Sequence, residues 1–546
     1  MSPGIVIGTH RMSTTATRFE GLLASHFEAE LADHPPAANF AGLREGEGKL
    51  GRANLRHEQR QQTRRLKTLR TLDTICMREL SSAQHLDRLA FRAHLLRGAE
   101  DFERGRHRLE ASAIDDVLNV LFHELQRGDD EPARAARNIR SLLIRAPDYL
   151  SEAATLSDRP EPVWRQIMLE TAAGANSLLD ATRTFLARHG SAPTDKTSLR
   201  SAAKAIERYR DQVADRPLAP AGSFALGRAG VERRVRDELG LDYTLEQIET
   251  LADSEIQRIG GQLEKACAKF GRGKSATESL AHARAEWNPR GDLFSLYQKE
   301  TLRMATAFKA AKAMTFPTGE SLVLRPAPDF MKPLLPTAAY SAPGAFEKRQ
   351  RGIFWVNDLS LDKQTESEKR AERQQHFGIS LTAAHEAYPG HHLQFAIANQ
   401  HARKWRRLFA HAIFYEGWTL WCEQMTVDLG IDHSPWTPVQ QLKDALWRCH
   451  RILIDLRLQT GRYTYEQGVK HLQKQLAFSK SRAQAEINWY TGSPCVPMSY
   501  WLGRLENERL HQRLVVGRGW TLKQFNDWLL SFGTLPQAWL EKYGLD

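Results

Sequence analysis

Apolar residues recur at intervals of three and four along most of this sequence, and no other feature constrains the fold as strongly. These intervals match the roughly 3.6-residue turn of an α-helix, so they predict helices that bury one face. From residue 378 to the end the pattern is again helical, with predicted helix starts at Ser434-Pro435 and Thr521-x-x-Gln524. We therefore expect a mainly α fold. Before the middle of the chain, the predicted helices cover residues 15–34, 56–80, 82–98, 108–127, 131–145, 162–188, 198–213, 228–239, 244–270 and 276–285.

Residues 317–358 differ in composition from the rest of the chain. They hold many of its prolines and two short runs rich in β-branched and aromatic residues, Ser321-Leu-Val-Leu324 and Gly352-Ile-Phe-Trp-Val-Asn357. Short runs of this kind, bounded by turn-forming residues, are typical of β-strands. The sequence therefore predicts a small β-sheet in the middle of the chain.

One internal boundary stands out. The stretch Arg216-Pro-Leu-Ala-Pro-Ala-Gly222 interrupts the helical period with two prolines and a glycine. It predicts an N-terminal helical region over residues 15–215 and a C-terminal, catalytic region over 223–546. The alternative is that the two regions form one intertwined unit, because the chain is long enough for either arrangement.

The charge balance of the chain is basic. There are 76 lysines and arginines against 65 aspartates and glutamates, a net charge of +11. The densest basic stretch runs from Arg56 to Arg70, with near-helical apolar spacing and no aromatic residue to stack on bases. We interpret this stretch as the solvated face of a helix, and we do not expect nucleic acid as a partner.

The cysteines and the apolar runs bear on where the protein works. The 546-residue chain has five cysteines and no C-x-x-C pair, so a disulfide framework is not expected. No run approaches the ~18 apolar residues of a membrane span, and the N-terminus lacks the apolar core of a signal peptide. These features predict a cytoplasmic protein that does not bind a membrane. They do not indicate an oligomeric state.

Residues 381–394 gather three histidines and a glutamate in the string Leu-Thr-Ala-Ala-His-Glu-Ala-Tyr-Pro-Gly-His-His-Leu-Gln. Hydrolytic zinc sites commonly use H-E-x-x-H, in which two imidazoles one helical turn apart bind the ion and the glutamate acts on water. Here His391 and His392 follow His385 at i+6 and i+7. On a regular helix neither position can share an ion with His385.

Pro389 and Gly390 remove that conflict in part. Proline lacks an N–H and its ring clashes with the carbonyl four residues back, which is that of His385, while glycine permits unusual backbone angles. The helix must therefore bulge or break between the histidines. A two-residue bulge would return His391 to the place of an i+4 ligand. His392 remains the alternative second ligand.

A third ligand is expected from a second helix. Residues 404–428 form a strongly apolar helical run in which Glu416 and Glu423 lie on the apolar stripe. A carboxylate there is costly unless it is paired or bound to a metal, so Glu416 is the natural ligand. Glu423, two turns further on, is placed to orient a histidine.

The string HEAYPGHHLQ, followed by EGWTLWCE, resembles the bacterial DUF885 family, which belongs with the helical zincin-like metallopeptidases. The likeness extends over most of the chain. It includes Phe19–Phe27 near the start and Gly352–Asn357 in the middle. Late in the chain, Tyr490 and the pattern Pro494…Ser499-Tyr500-x-x-Gly503 resemble the family's tyrosine-containing segment.

The resemblance implies a large helical zincin-like body with one Zn²⁺ per chain. It implies His385, His391 and Glu416 as the ligands of the ion, and Glu386 as the general base. Tyr490 and Tyr500 are then the candidates for stabilising the oxyanion, since a phenol donates a hydrogen bond without carrying charge.

Together these features predict a zinc metallopeptidase-like hydrolase that cleaves short peptides, because a helical shell often encloses a narrow channel. We expect the strand at Gly352–Asn357 to pair with an extended peptide by edge addition. Two other functions stay open. The same attack of water serves a non-peptide amide or ester, and a degenerate metal site suits a non-catalytic scaffold.

Overall fold

The computed structural model describes residues 14–128, 130–270, 275–328, 331, 335, 337–357 and 365–545. Within these residues the protein is mainly α-helical with one small three-stranded sheet, as the sequence predicts. Parts of the predicted sheet segment 317–358 lie outside the described residues.

The helices of the first 215 residues follow the predicted periodicity closely. Several begin at side-chain caps, such as Asn54, whose side chain accepts from the His57 N–H, and Ser81, which forms a capping box with Gln84. These caps satisfy N–H groups that a helix start leaves unpaired. The helices are Thr14–Asp33 (α1), Pro35–Phe40 (α2), Leu55–Asp73 (α3), Ser82–Glu103 (α4), Arg106–Leu109 (α5), Ala113–Arg127 (α6), Pro132–Leu156 (α7), Pro162–Arg188 (α8) and Asp195–Ala214 (α9).

Four helices lie between the predicted boundary and the sheet. They are Gly227–Asp237 (α10), Leu245–Ala268 (α11), Ala276–Glu286 (α12) and Leu293–Ala310 (α13). The sequence pattern did not predict α13. This helix is nonetheless capped by Asp292, whose side chain accepts from the Ser295 N–H, and it buries Tyr297 and Phe308.

The sheet contains β1 (Glu320–Pro326), β2 (Ala338–Ser341) and β3 (Gln350–Val356) in the order β1-β3-β2. β1 pairs with β3 in parallel and β2 pairs with β3 antiparallel. The expectation that the Gly352–Asn357 strand offers a free edge is therefore wrong. Both edges of β3 are already hydrogen-bonded, and its side chains are almost all buried. Among the described strands, β1 and β2 are the two edges, and a side chain from each contacts His392.

Helices account for most of the chain after the sheet. Thr521 forms the predicted capping box with Gln524, whereas the helix predicted to start at Ser434-Pro435 begins at Thr437. The helices are Glu366–Arg373 (α14), Ile379–Glu386 (α15), His391–Ala398 (α16), Ala412–Asp428 (α17), Thr437–Gln459 (α18), Tyr465–Leu476 (α19), Lys480–Gly492 (α20), Val496–His511 (α21), Leu522–Leu530 (α22) and Gln537–Tyr543 (α23).

One hydrophobic core draws on both halves of the chain. Phe19 and Phe91 from the first helices pack in the same buried cluster as Phe308, Trp418 and Phe525. All five cysteines are free. Among the described helices, none is both long and apolar enough to cross a membrane. The shared core fixes α15, α16 and α17, which carry the histidine motif and Glu416.

Candidate metal centre

A sharp backbone corner separates the two predicted histidine ligands. α15 ends at Glu386 and α16 begins at His391, so the predicted break in the helix is confirmed. The Tyr388–Pro389 peptide bond in this corner is cis. A Cβ on Gly390 would lie 1.8 Å from the carbonyl oxygen of His385, so only glycine fits where the chain passes so close to α15.

The neighbouring helix α17 holds this corner in place. The indole N–H of Trp418 donates to the carbonyl oxygen of Pro389 at 2.9 Å, and Trp418 is fully buried. Glu416 precedes Trp418 by two residues on the same helix. The corner and the carboxylate are thus fixed relative to each other by one buried hydrogen bond.

The corner brings three predicted ligands together, and we call His385, His391 and Glu416 the His385 cluster. Glu416 Oε2 lies 3.7 Å from His385 Nε2 and 3.6 Å from His391 Nε2. One ligand atom from each residue falls within 4.8 Å of the other two. Because tetrahedral zinc bonds of about 2.0–2.2 Å separate ligand atoms by roughly 3.3–3.6 Å, a small adjustment suffices to hold an ion.

The atoms of the cluster are buried and incompletely paired. The His385, His391 and Glu416 side chains are only 11%, 12% and 9% exposed. Glu416 Oε2 is buried without a hydrogen-bond partner in the described structure, as is His391 Nδ1. A buried carboxylate oxygen without a partner is costly, and a cation is the partner that suits it.

Glu423 orients the first histidine, as predicted. Its Oε1 accepts a hydrogen bond from His385 Nδ1 at 2.8 Å, which turns Nε2 toward Glu416. Burial lowers the pKa of His385, but the carboxylates of Glu416 and Glu423 outweigh it and raise that pKa to about 10. Burial lowers the pKa of His391 to about 4, so its imidazole is neutral, whereas His385 carries a proton that a bound cation would displace.

Glu386 lies directly beside this cluster at the end of α15. Burial raises its pKa to about 7, and the nearby Glu416 and Glu423 carboxylates act in the same direction, while His385 opposes them. The backbone N–H of Tyr340 in β2 also acts on the Glu386 carboxylate. An N–H that points at Glu386 points away from β3, so the edge of β2 that is unpaired among the described strands faces the cluster.

His392 has a different place from His391. It is fully buried, its Nε2 lies 2.7 Å from Glu320 Oε2, and its Nδ1 lies 3.1 Å from the Tyr340 hydroxyl. The hydroxyl of Tyr388 donates to the same Glu320 carboxylate. The structure thus uses His392 to tie the corner to β1 and β2. Sequence reasoning missed Glu320 and Tyr340, because nothing local in the sequence marks them.

Two glycines bring Tyr500 to the cluster. Gly417 on α17 and Gly503 on α21 meet so closely that a Cβ on Gly503 would lie 2.0 Å from the Ile413 carbonyl oxygen. The hydroxyl of Tyr500 then lies beside Glu416. Burial raises the pKa of Glu416, but His391, His385 and this hydroxyl outweigh it and hold the pKa below its usual value.

Tyr490 does not reach the cluster. It is fully buried, and its hydroxyl accepts a hydrogen bond from Arg451 Nε at 3.1 Å. The guanidinium of Arg451 in turn lies 4.5 Å from the centre of the Tyr500 ring. Tyr490 therefore contacts Arg451, and through it supports Tyr500, rather than facing the space beside His385.

The donor set fits a divalent cation. Two imidazoles and a carboxylate are the ligands that catalytic zinc sites use, with a further position left open. Three carboxylates, Glu386, Glu416 and Glu423, crowd around His385, and a cation relieves their mutual repulsion. Two cavities of about 430 and 320 Å³ lie elsewhere, and none of these residues lines them. The chemistry of the residues, not cavity size, marks this site.

The fold and the site thus define a mainly α-helical protein with a buried His–His–Glu cluster at a helix break. The chain belongs to the DUF885 family, described as bacterial protein of unknown function, whose pattern matches residues 35–543. No curated protein matches the chain.

Two solved structures share the fold. A candidate lipoprotein of unknown function from Shewanella oneidensis is 19% identical, with a TM-score of 0.77 over 97% of this chain and 100% of that one. A candidate lipoprotein from Colwellia psychrerythraea is 18% identical, with a TM-score of 0.70 over 97% of this chain and 98% of that one. At these identities the likeness concerns the fold alone.

Proposed function

We propose that this protein is a zinc-dependent hydrolase of the helical zincin-like type that cleaves short peptides. The observation that carries the proposal is the convergence of His385 Nε2, His391 Nε2 and Glu416 Oε2, beside the carboxylate of Glu386. A zinc ion at this cluster supplies a Lewis acid, which polarises a carbonyl and lowers the pKa of water toward ~7.

Glu386 moves the proton in this proposal. Its carboxylate accepts a proton from the attacking water, holds it on a carboxylate oxygen, and passes it to the leaving amine. The Tyr340 N–H and the end of α15 fix the position of the carboxylate. Burial helps, because a desolvated carboxylate holds a proton more readily than a hydrated one.

Tyr500 is the donor for the oxyanion that forms at the attacked carbonyl. Its ring is half-buried rather than enclosed, and its hydroxyl lies next to Glu416. Arg451 packs on the ring and restrains it. Tyr490, which the sequence also suggested as a donor, has the supporting role of holding Arg451.

The free edge of β2 supports a peptide as the substrate. An extended peptide that pairs with Ala338–Ser341 lies alongside Glu386, because the Tyr340 N–H points to that carboxylate. The peptide would pair through the outward backbone groups of β2 that Glu386 does not engage. Edge pairing recognises the peptide backbone and leaves the side chains to neighbouring pockets. This places the peptide on β2 rather than on the strand at Gly352–Asn357.

The test is digestion of a mixed peptide library, read by mass spectrometry, with and without a chelator. We expect cleavage that a chelator abolishes and that added zinc restores. Cleavage of test esters or non-peptide amides without cleavage of peptides would redirect the proposal to a non-peptide hydrolase. Zinc binding without hydrolysis of any of them would make the protein a non-catalytic scaffold.

A cytoplasmic location is part of the same proposal. Its support is that all five cysteines are free, which suits a reducing compartment. The two structural neighbours are described as candidate lipoproteins, a description that concerns those proteins. Cell fractionation with an antibody to this chain separates a cytoplasmic from an envelope location.

A further inference from the structure

A group of five basic side chains from α12, α18 and α20 lies beside the candidate metal centre. The indole ring of Trp447 is surrounded by three guanidiniums, whose carbon atoms lie 4.2 Å (Arg451), 4.7 Å (Arg448) and 5.1 Å (Arg482) from its centre. Lys443 and Arg284 lie close enough to act electrostatically on one another. We call these five basic residues the Trp447 cations.

The Trp447 cations outnumber the carboxylates among them. The carboxylates that act on them are Asp444, Glu486, Glu423 and Glu416. Arg451 engages Glu486 at 3.1 Å, and Arg448 lies 3.5 Å from Glu423. Within the described part of the chain, Lys443 and Arg482 form no ion pair. The local positive charge is therefore larger than the protein itself neutralises.

Several of these groups are also poorly hydrogen-bonded. Arg448 Nε is buried without a partner in the described structure, and its Nη1 lies 3.6 Å from Asp444, too far for a hydrogen bond. Arg284 Nε is likewise buried and unpartnered. Burial lowers the pKa of Lys443 to about 8, and the neighbouring guanidiniums lower it too, while Asp444 opposes them. Such crowding is costly unless an anion binds.

The group touches the metal centre at two points. Arg448 Nη2 lies 3.5 Å from Glu423 Oε1, the atom that orients His385. Arg451 packs on Tyr500, which lies beside Glu416. An anion held beside Arg448 and Arg451 would therefore lie next to the residues that contact His385 and Glu416.

We propose that the Trp447 cations form a carboxylate-binding subsite that selects anionic substrates. The inference rests on the proposed hydrolase function, which places a peptide at the His385 cluster, and it adds the class of peptide. Guanidiniums match the planar, two-oxygen geometry of a carboxylate. In a peptide that group is either the free C-terminus or an acidic side chain.

The test measures binding to a Glu386→Gln protein, which prevents turnover during the measurement. The probes are Ala-Ala-Glu-Ala, the same peptide with Gln for Glu, and both sequences as C-terminal amides. By calorimetry, removing one of the two carboxylates should raise Kd by about tenfold or more. Whichever carboxylate does so is the one that the subsite recognises.

Two double variants decide whether the Trp447 cations are responsible. Lys443→Gln with Arg482→Gln should reduce the discrimination to less than about threefold. Lys67→Gln with Arg78→Gln removes the same charge from exposed positions on α3 and between α3 and α4, and should leave the discrimination unchanged. Equal binding of all four peptides to the parent protein, or retained discrimination in the first double variant, would overturn the proposal.

The outcome is separable from that of the proposed function. Discrimination between the peptides by a protein whose native form hydrolyses none of them leaves the subsite standing and removes the hydrolase. Hydrolysis of the peptides without discrimination between them in binding leaves the hydrolase standing and removes the subsite.

Discussion

Two clusters in this protein contain the same three side chains, two histidines and a glutamate, yet they differ in how the atoms are satisfied. One is the His385 cluster, and the other joins His26 and Glu30 of α1 to His94 of α4, which we call the His26 cluster. In the His26 cluster, His94 Nε2 lies 2.8 Å and 3.1 Å from the two oxygens of Glu30. His26 Nδ1 is paired with Thr68 Oγ1 at 3.1 Å.

The difference shows what distinguishes a candidate metal centre from a structural contact. In the His26 cluster the carboxylate already has its hydrogen bonds, and the His94 side chain is 38% exposed. In the His385 cluster the shared oxygen lies 3.6 Å and 3.7 Å from the two imidazoles and has no hydrogen-bond partner among the described atoms. The two clusters contain the same residue types, but only the His385 cluster has a carboxylate oxygen free to bind an ion and room for the ion between its ligand atoms.

The largest expected effect concerns Glu386, the proposed general base, which lies beside the His385 cluster. Glu386→Gln should reduce peptide hydrolysis by roughly 10²–10⁴-fold while zinc content stays at the wild-type level. Initial rates and elemental analysis of the same preparation measure both. Wild-type rates in this variant would show that Glu386 does not carry the proton.

The next effect concerns the backbone of the two clusters. The His26 cluster lies on unbroken helices, whereas the His385 cluster depends on the turn between α15 and α16. Gly390→Ala forces a methyl group to within 1.8 Å of the His385 carbonyl oxygen and should destabilise the fold by about 1–3 kcal/mol. Urea unfolding measures this. Gly174→Ala on α8, where a Cβ meets nothing within 4 Å, is the matched control and should stabilise by about 0.5–1 kcal/mol.

A smaller change follows from the residue that orients His385. Glu423→Gln weakens the hydrogen bond to Nδ1 and should lower zinc affinity by about 10–100-fold. Competition with a fluorescent chelator measures that affinity. Thr68→Ala removes the corresponding partner of His26 and should leave zinc affinity as in the wild type. Equal losses in both variants would erase the distinction between the clusters.

The smallest effect concerns the His26 cluster as a structural contact. Burial raises the pKa of Glu30, but the imidazoles of His94 and His26 outweigh it and hold that pKa below its usual value. A lowered pKa gives stability that is present above the unfolded pKa of about 4.5 and is lost as pH falls below it.

Glu30→Gln should therefore lower the free energy of unfolding by about 0.5–1.5 kcal/mol at pH 7 and by less below pH 4.5. Chemical unfolding at both pH values measures the difference. Glu79→Gln, at an exposed position, is the control and should stay within about 0.5 kcal/mol of the wild type. A loss for Glu30→Gln that does not shrink at low pH would contradict the assignment.

The features that could be predicted from the sequence are those that depend on residues close together in the chain. Helical spacing predicted most helices, and the proline–glycine step predicted the break between His385 and His391, because both depend on near neighbours in the chain. The prediction of Glu416 rested on a carboxylate on an apolar stripe, and the structure places it between the two imidazoles.

What the sequence missed depends on contacts between distant segments. The central position of β3 follows from pairing with β1 and β2, which no local pattern reveals. Glu320 meets His392 across 72 residues, and Arg482 joins α18 from another helix. Lys443, Trp447 and Arg451 share a helix face at four-residue spacing, which is visible in the sequence. That spacing alone does not indicate a cation cluster, because Arg482 and Arg284 join it from other helices.

Zinc content per chain, measured by elemental analysis after zinc loading and desalting, is the decisive measurement for the His385 cluster. We expect one zinc in the wild type, almost none in His391→Ala or Glu416→Ala, and one in His94→Ala and in His392→Ala. A wild type that retains no zinc would contradict it. So would a protein that keeps its zinc in His391→Ala and loses it in His94→Ala.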